Sequence, residues 1–167
     1  MNTDESLGYG LVSEAHLDMI LDDVCNTLGN GGNNNASIAG KEVVAQETLL
    51  GTYPDSSVYG QGAGLFQFDE IGFDDVVARV REKDYLKVLN KYRIDIKKVK
   101  LRDLDFNPLT SAIFWRLKYL KITASIPKTL EGRAQYWKDH HNSEAGAGEP
   151  EEYINNANRL IYNKEAA

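Results

Sequence analysis

The sequence predicts a mostly α-helical fold interrupted by one glycine-rich loop. Apolar residues recur at helical spacing along most of the chain, and only the stretch 94–104 alternates, weakly, as a strand would. A glycine-rich segment over 51–68 interrupts the helical pattern. At 167 residues, 42% hydrophobic and 26% charged, residues 1–167 are expected to form one domain with a real core. Within it, residues 1–36 supply an N-terminal helix and a Gly/Asn-rich loop.

The first helix is expected over Ser13–Leu28. Leu17, Ile20, Leu21, Val24 and Leu28 share a face, Asp22 and Asp23 lie outside, and Ser13 is placed to cap. The polar run GNGGNNNASIAG reads as a surface connector. From Ser37 a second helix sets Val43, Val44, Glu47 and Leu50 on one face, with Lys41, Glu42 and Gln46 toward the other. Gly51, Pro54, Asp55, Ser56, Ser57, Gly60, Gly62 and Gly64 then form a loop that allows positive backbone angles and close approach of a ligand. A short apolar turn, GLFQFD, ends in Asp69.

Val76, Val77, Val80, Tyr85, Leu86 and Leu89 predict two short helices, the first opened by Asp74 and Asp75, whose charge suits the helix dipole. The basic cluster of 94–104 reads as a solvated face. Asn107-Pro108 starts the most apolar helix, with Ala112, Ile113, Phe114, Leu117, Tyr119 and Leu120, which is the expected core helix. After Ile126-Pro127, Thr129 can cap a helix to about Asn142, with Leu130, Ala134, Trp137 and His141 on one face. Pro150 starts the last helix, where Tyr153, Ile154, Ala157, Leu160 and Ile161 close the domain.

Several function classes are excluded at this level. The net charge of −6 argues against nucleic-acid partners, which require basic patches. No apolar run is long enough to insert in a membrane. The N-terminus MNTDESLGYG lacks the basic head and apolar stretch of a secretory signal. Cys25 is the single cysteine and falls in an apolar helical pattern, so it reads as a buried small residue. Asp139, His140 and His141 are adjacent and point apart on a helix, which is the wrong spacing for a metal site. No nucleophile elbow or activated thiol is present, and no cofactor is implied.

Glu47 is the candidate for chemistry. A carboxyl among aliphatic side chains is desolvated, which favours its neutral form and suits a general acid near neutral pH. The competing reading is a glutamate at the edge of an amphipathic helix with its carboxylate in water.

Glu47, the loop after it and Gly64-Leu65-Phe66-Gln67 together resemble the soluble lytic transglycosylases and goose-type lysozymes. In those families a helix-borne glutamate precedes a Gly-Leu-Met-Gln turn, and here Phe66 stands for the methionine. Thr48 stands for the serine that usually follows the glutamate. Asp69 stands where goose-type lysozymes carry an aspartate two residues after the glutamine. Tyr119-Leu120 is similar to a Tyr-Leu pair ending a helix of those proteins. His141-Asn142 followed by Ala145-Gly146-Ala147-Gly148 is similar to their Ala-Tyr-Asn-Ala-Gly motif, with His141, or alternatively Tyr136, in the tyrosine role.

The resemblance covers roughly Ser37 to Gly148. It implies a mostly helical lysozyme-like fold with a small loop or hairpin lobe at residues 51–68 and a cleft between lobes, and cleavage of the β-1,4 bond between N-acetylmuramic acid and N-acetylglucosamine. It implies Glu47 as the acid; a hydrolase needs a second carboxylate, for which Asp69, with Asp55 behind it, is the candidate, whereas in a transglycosylase Glu47 acts as acid and then as base while the substrate's own 6-hydroxyl attacks. Gln67, Phe68 and the backbone of Gly64, Leu65 and Phe66 would line sugar subsites, with Tyr136, His141 and Asn142 beside them. The acidic charge, the missing signal and the segment 129–148 look like bacteriophage virion or tail-associated proteins. The expected partners are therefore peptidoglycan strands and other virion proteins. The alternative is a structural or glycan-binding virion component with an idle cleft.

Overall fold

Helices begin where the sequence supplies a side chain that can accept a free backbone N–H. Ser13, Asp69, Asn107 and Thr129 each take the N–H three residues on. The computed structural model describes residues 7–53, 62–142 and 146–163. In these it contains α1 (Glu14–Leu28), α2 (Ala36–Thr48), α3 (Glu70–Arg79), α4 (Glu82–Tyr92), α5 (Pro108–Leu120), α6 (Leu130–His140) and α7 (Pro150–Ala157). Two 3-10 turns, Ile96–Lys98 and Leu101–Asp105, precede α5, and a wide turn, Asn158–Tyr162, follows α7. The mostly α class is thus observed.

Helix α5 is the centre of the core. Ala112, Ile113, Phe114, Trp115 and Leu117 are all buried, and the helix packs against α1, α2 and α3. Phe66 stacks on Trp115 at 5.2 Å between ring centroids, and Phe73 on Phe114 at 4.8 Å. Helices α6 and α7 pack on each other, and α7 also packs on α2. Where α2 crosses the core, a Cβ on Gly40 would lie 2.9 Å from both Leu21 and the Trp115 ring. Only glycine lets the backbone pass that close.

Several expectations are corrected. Glu42 does not face outward: it is fully buried, because Arg133, Tyr153 and Tyr162 close around it. Asp74 and Asp75 do not open α3, since Asp69 caps it one turn earlier, and Asp75 instead pairs with Arg79 and Lys121. On α4 Val88 is buried and Leu86 is 43% exposed, because a helix beginning at Glu82 turns Leu86 away from the core side. The stretch 94–104 forms 3-10 turns rather than a strand. The Gly/Asn-rich connector is tied down, with Asn33 donating to the Ile126 carbonyl and Asn30 accepting from the Ser37 N–H. Of the loop lobe, residues 54–61 lie outside the described residues. What remains is a tight turn closed by the antiparallel pair Ala63 and Phe68.

Candidate active site

Glu47 sits one residue before the end of α2. Leu49, Leu50 and Gly51, all at positive φ, then turn the chain sharply back. For a leucine that conformation costs about 1–2 kcal/mol, and burial of the Leu50 side chain offsets part of it. Thr48 fixes what comes next. Its hydroxyl lies 3.2 Å from the Val44 carbonyl and 3.0 Å from that of Leu65, so the helix end is tied to the Gly64–Gln67 turn.

That turn is held by three further contacts. Gly64 N–H donates to Asp105 at 2.9 Å, Gln67 Nε2 donates back to the Gly64 carbonyl at 2.9 Å, and His141 Nε2 meets the Phe66 carbonyl at 2.8 Å. Gly64 has φ +73°, and a Cβ there would stand 2.5 Å from Ser111 Oγ, so glycine is required. The side chains of Leu65, Phe66 and Phe68 are buried in the core. This corrects the expectation that the Phe68 side chain lines a subsite: from this turn, only backbone and the half-buried Gln67 are left to face a ligand.

The Glu47 side chain is 19% exposed. Burial pushes its pKa up from 4.5 to about 7, and the charge of Glu152 pushes the same way. Two groups pull it down: the Trp137 indole N–H, which donates to Oε1 at 2.8 Å, and the positive charge of Lys118. Near neutral pH the carboxyl therefore exists as both acid and base.

His141 Nε2 lies 3.6 Å from the same oxygen. Burial, reinforced by Lys118, pushes the His141 pKa down to about 3, so the ring is neutral. Because a carbonyl can only accept, the proton sits on Nε2 toward Phe66, and the pair with Glu47 is not an ion pair. Among the described residues His141 Nδ1 is buried without a partner, as is the hydroxyl of Tyr119, whose ring centroid is 6.0 Å from that of His141.

Compared with known protein families, curated proteins and solved structures, this chain matches none. The arrangement therefore stands on its own geometry.

The remaining candidates divide. Asp69 is exposed, and its Oδ1 accepts the Gly72 N–H at 2.7 Å, so one oxygen is committed to capping α3. Asp55 lies outside the described residues, as does Ala145. Tyr136 is turned away, its hydroxyl donating to the Ala124 carbonyl at 3.0 Å. It does not take the tyrosine role, because one position along the helix puts Trp137 on the α2 side instead. Asn142 donates to the Gly148 carbonyl at 3.0 Å and closes the loop after α6. Gly148 lies so near Trp137 that a Cβ would stand 2.5 Å from the indole, so this glycine lets the loop close over the residue holding Glu47.

Two residues at the site escaped sequence reasoning. Trp137 shares the predicted face with His141, where the sequence pattern alone gives it no role. Its signal was an N–H donor one helical turn before the histidine of the same motif. Lys118, on α5, gave no signal, because a lysine in an apolar helix reads as a solvated edge.

Proposed function

We propose that the protein is a muralytic enzyme that cleaves the MurNAc-GlcNAc β-1,4 bond of peptidoglycan, with Glu47 as the acid that protonates the leaving glycosidic oxygen. The observation that carries this is a recessed carboxyl titrating near 7, held by Trp137, on a helix end anchored through Thr48 to the Gly64–Gln67 turn. Such a group delivers a proton at neutral pH and takes one back.

A hydrolase needs a second carboxylate to activate water or to form a covalent intermediate. Asp69 is exposed and partly committed to its helix cap. This favours the transglycosylase course, in which Glu47 acts first as acid and then as base while the substrate's own 6-hydroxyl attacks the anomeric carbon. Delivery by a phage particle, in which the protein opens the host wall during genome entry, is part of the same proposal and agrees with its acidic charge.

Mass spectrometry of purified peptidoglycan incubated with the wild-type protein and with Glu47→Gln tests the reading. Anhydro-ended muropeptides released only by the wild type are expected. Reducing ends would instead identify a hydrolase. Release by neither protein would leave a structural or glycan-binding virion component.

A further inference from the structure

Lys118 projects from the last turns of α5 into the surroundings of Glu47. Its Nζ stands 5.4 Å above the centre of the Phe68 ring, and a Cβ on Gly72 would be 3.7 Å from it. The side chain is half-buried. Among the described residues its ammonium has neither a hydrogen bond nor a carboxylate within ion-pair distance.

The neighbouring cations are different. Lys121 is paired with Asp75, Arg133 with Glu42, and Lys138 with the Gly146 and Gly148 carbonyls. Burial pulls the Lys118 pKa below the usual lysine value, and Asp69, Glu47 and Asp75 act on it only at longer range. A desolvated ammonium without a counter-ion gains most from an incoming anion. The anion's other neighbour, Glu47, is largely uncharged below about pH 7, so it does not repel it there.

We infer that Lys118 is a specificity-determining residue that takes a carboxylate of the substrate, so that the site selects acidic glycans over neutral ones of the same backbone. This rests on the muralytic reading. The carboxylate has two sources in such a polymer: the lactyl group of muramic acid where the strand carries no peptide, and the acidic residues of the stem peptide where it does. Both place negative charge beside the sugar whose anomeric carbon reacts, and a cation within electrostatic range of the catalytic acid can meet either.

The test uses Glu47→Gln protein, so that ligands are bound without being cut, and isothermal titration at neutral pH. Four tetrasaccharides are compared: a muramyl oligomer with free lactyl carboxylates, its lactyl amide, a form bearing an alanyl-glutamate stem, and chitotetraose. An acidic oligomer is expected to bind about tenfold more tightly than chitotetraose, the size of one charge-assisted hydrogen bond. Lys118→Met, which keeps the stem packed on Phe68, should erase that preference while leaving chitotetraose binding in place, and Lys118→Arg should restore it.

Preference for the free lactyl form assigns the carboxylate to muramic acid. Preference only for the stem-bearing form assigns it to the peptide. Equal binding of all four oligomers, or a preference that survives in Lys118→Met, overturns the inference and leaves the muralytic reading standing. Binding of none overturns both.

Discussion

Glu42 and Glu47 stand on the same helix, little more than one turn apart, and both are shielded from water. Around Glu42 the protein supplies full compensation: Arg133 donates through Nε and Nη2 at 2.7 Å each, and the hydroxyls of Tyr153 and Tyr162 complete the shell. Around Glu47, among the described residues, it supplies one neutral N–H, from Trp137, and a cation that stays out of contact. Burial is therefore not what separates a structural carboxylate from a chemical one. The difference lies in whether the ionised form has been given its partners. A fully paired carboxylate holds elements together, here α2, α6, α7 and the turn after it, whereas an under-paired one exchanges its proton near neutral pH.

Breaking the first side of the comparison has the largest expected effect. Glu42→Leu leaves the Arg133 guanidinium buried without a counter-charge, and the variant should lose about 3–5 kcal/mol of stability in urea titrations. A loss under about 1 kcal/mol would mean that water or another acceptor replaces Glu42, and the contrast between the two glutamates would weaken.

The second side should respond in the opposite direction. In the unfolded chain Glu47 loses its proton near pH 4.5, whereas in the folded protein it keeps it to about 7. Between those values the folded state binds one proton more than the unfolded, so the contribution of Glu47 to stability falls as pH rises through this window. Glu47→Gln removes that slope. It should match the wild type at pH 4.5 and exceed it by up to about 3 kcal/mol above pH 7. If the proposed muralytic activity holds, the same variant should lower the rate of peptidoglycan cleavage by about 10²–10⁴-fold. Stability gained where activity is lost is expected of a site kept under-paired for chemistry. Parallel urea titrations of both proteins at pH 4.5 and pH 8 measure it, and a constant difference between them would show that Glu47 is ionised in the fold.

Legibility from sequence follows the same division. The seven helices described, the caps Ser13, Asn107 and Thr129, and the place of Glu47 at a helix end are local features, set by periodicity and by side chains within one turn of each other. Glu42 was misplaced because its burial depends on Arg133 and Tyr153, which lie 91 and 111 positions further along the chain. A periodicity argument places Glu42 by its angle around the helix alone and has no means of seeing such partners. Lys118 was missed for the converse reason: its interest lies in partners it lacks, and only the assembled fold shows that.

The smallest perturbation sharpens the comparison furthest. Trp137→Phe keeps the ring that packs against Tyr153, 5.4 Å away, but removes the N–H that reaches Oε1 of Glu47. That donor favours the ionised form, so its loss should raise the Glu47 pKa further, while the fold persists because the apolar contact remains. In ¹³C NMR titrations of the Glu47 carboxyl the midpoint should move to higher pH, and the alkaline limb of the pH–rate profile should move with it. A midpoint that stays put would mean that burial alone sets the proton affinity and that Trp137 only packs. A midpoint that moves would show that the protein holds Glu47 between the fully compensated state of Glu42 and an uncompensated one by a single hydrogen bond.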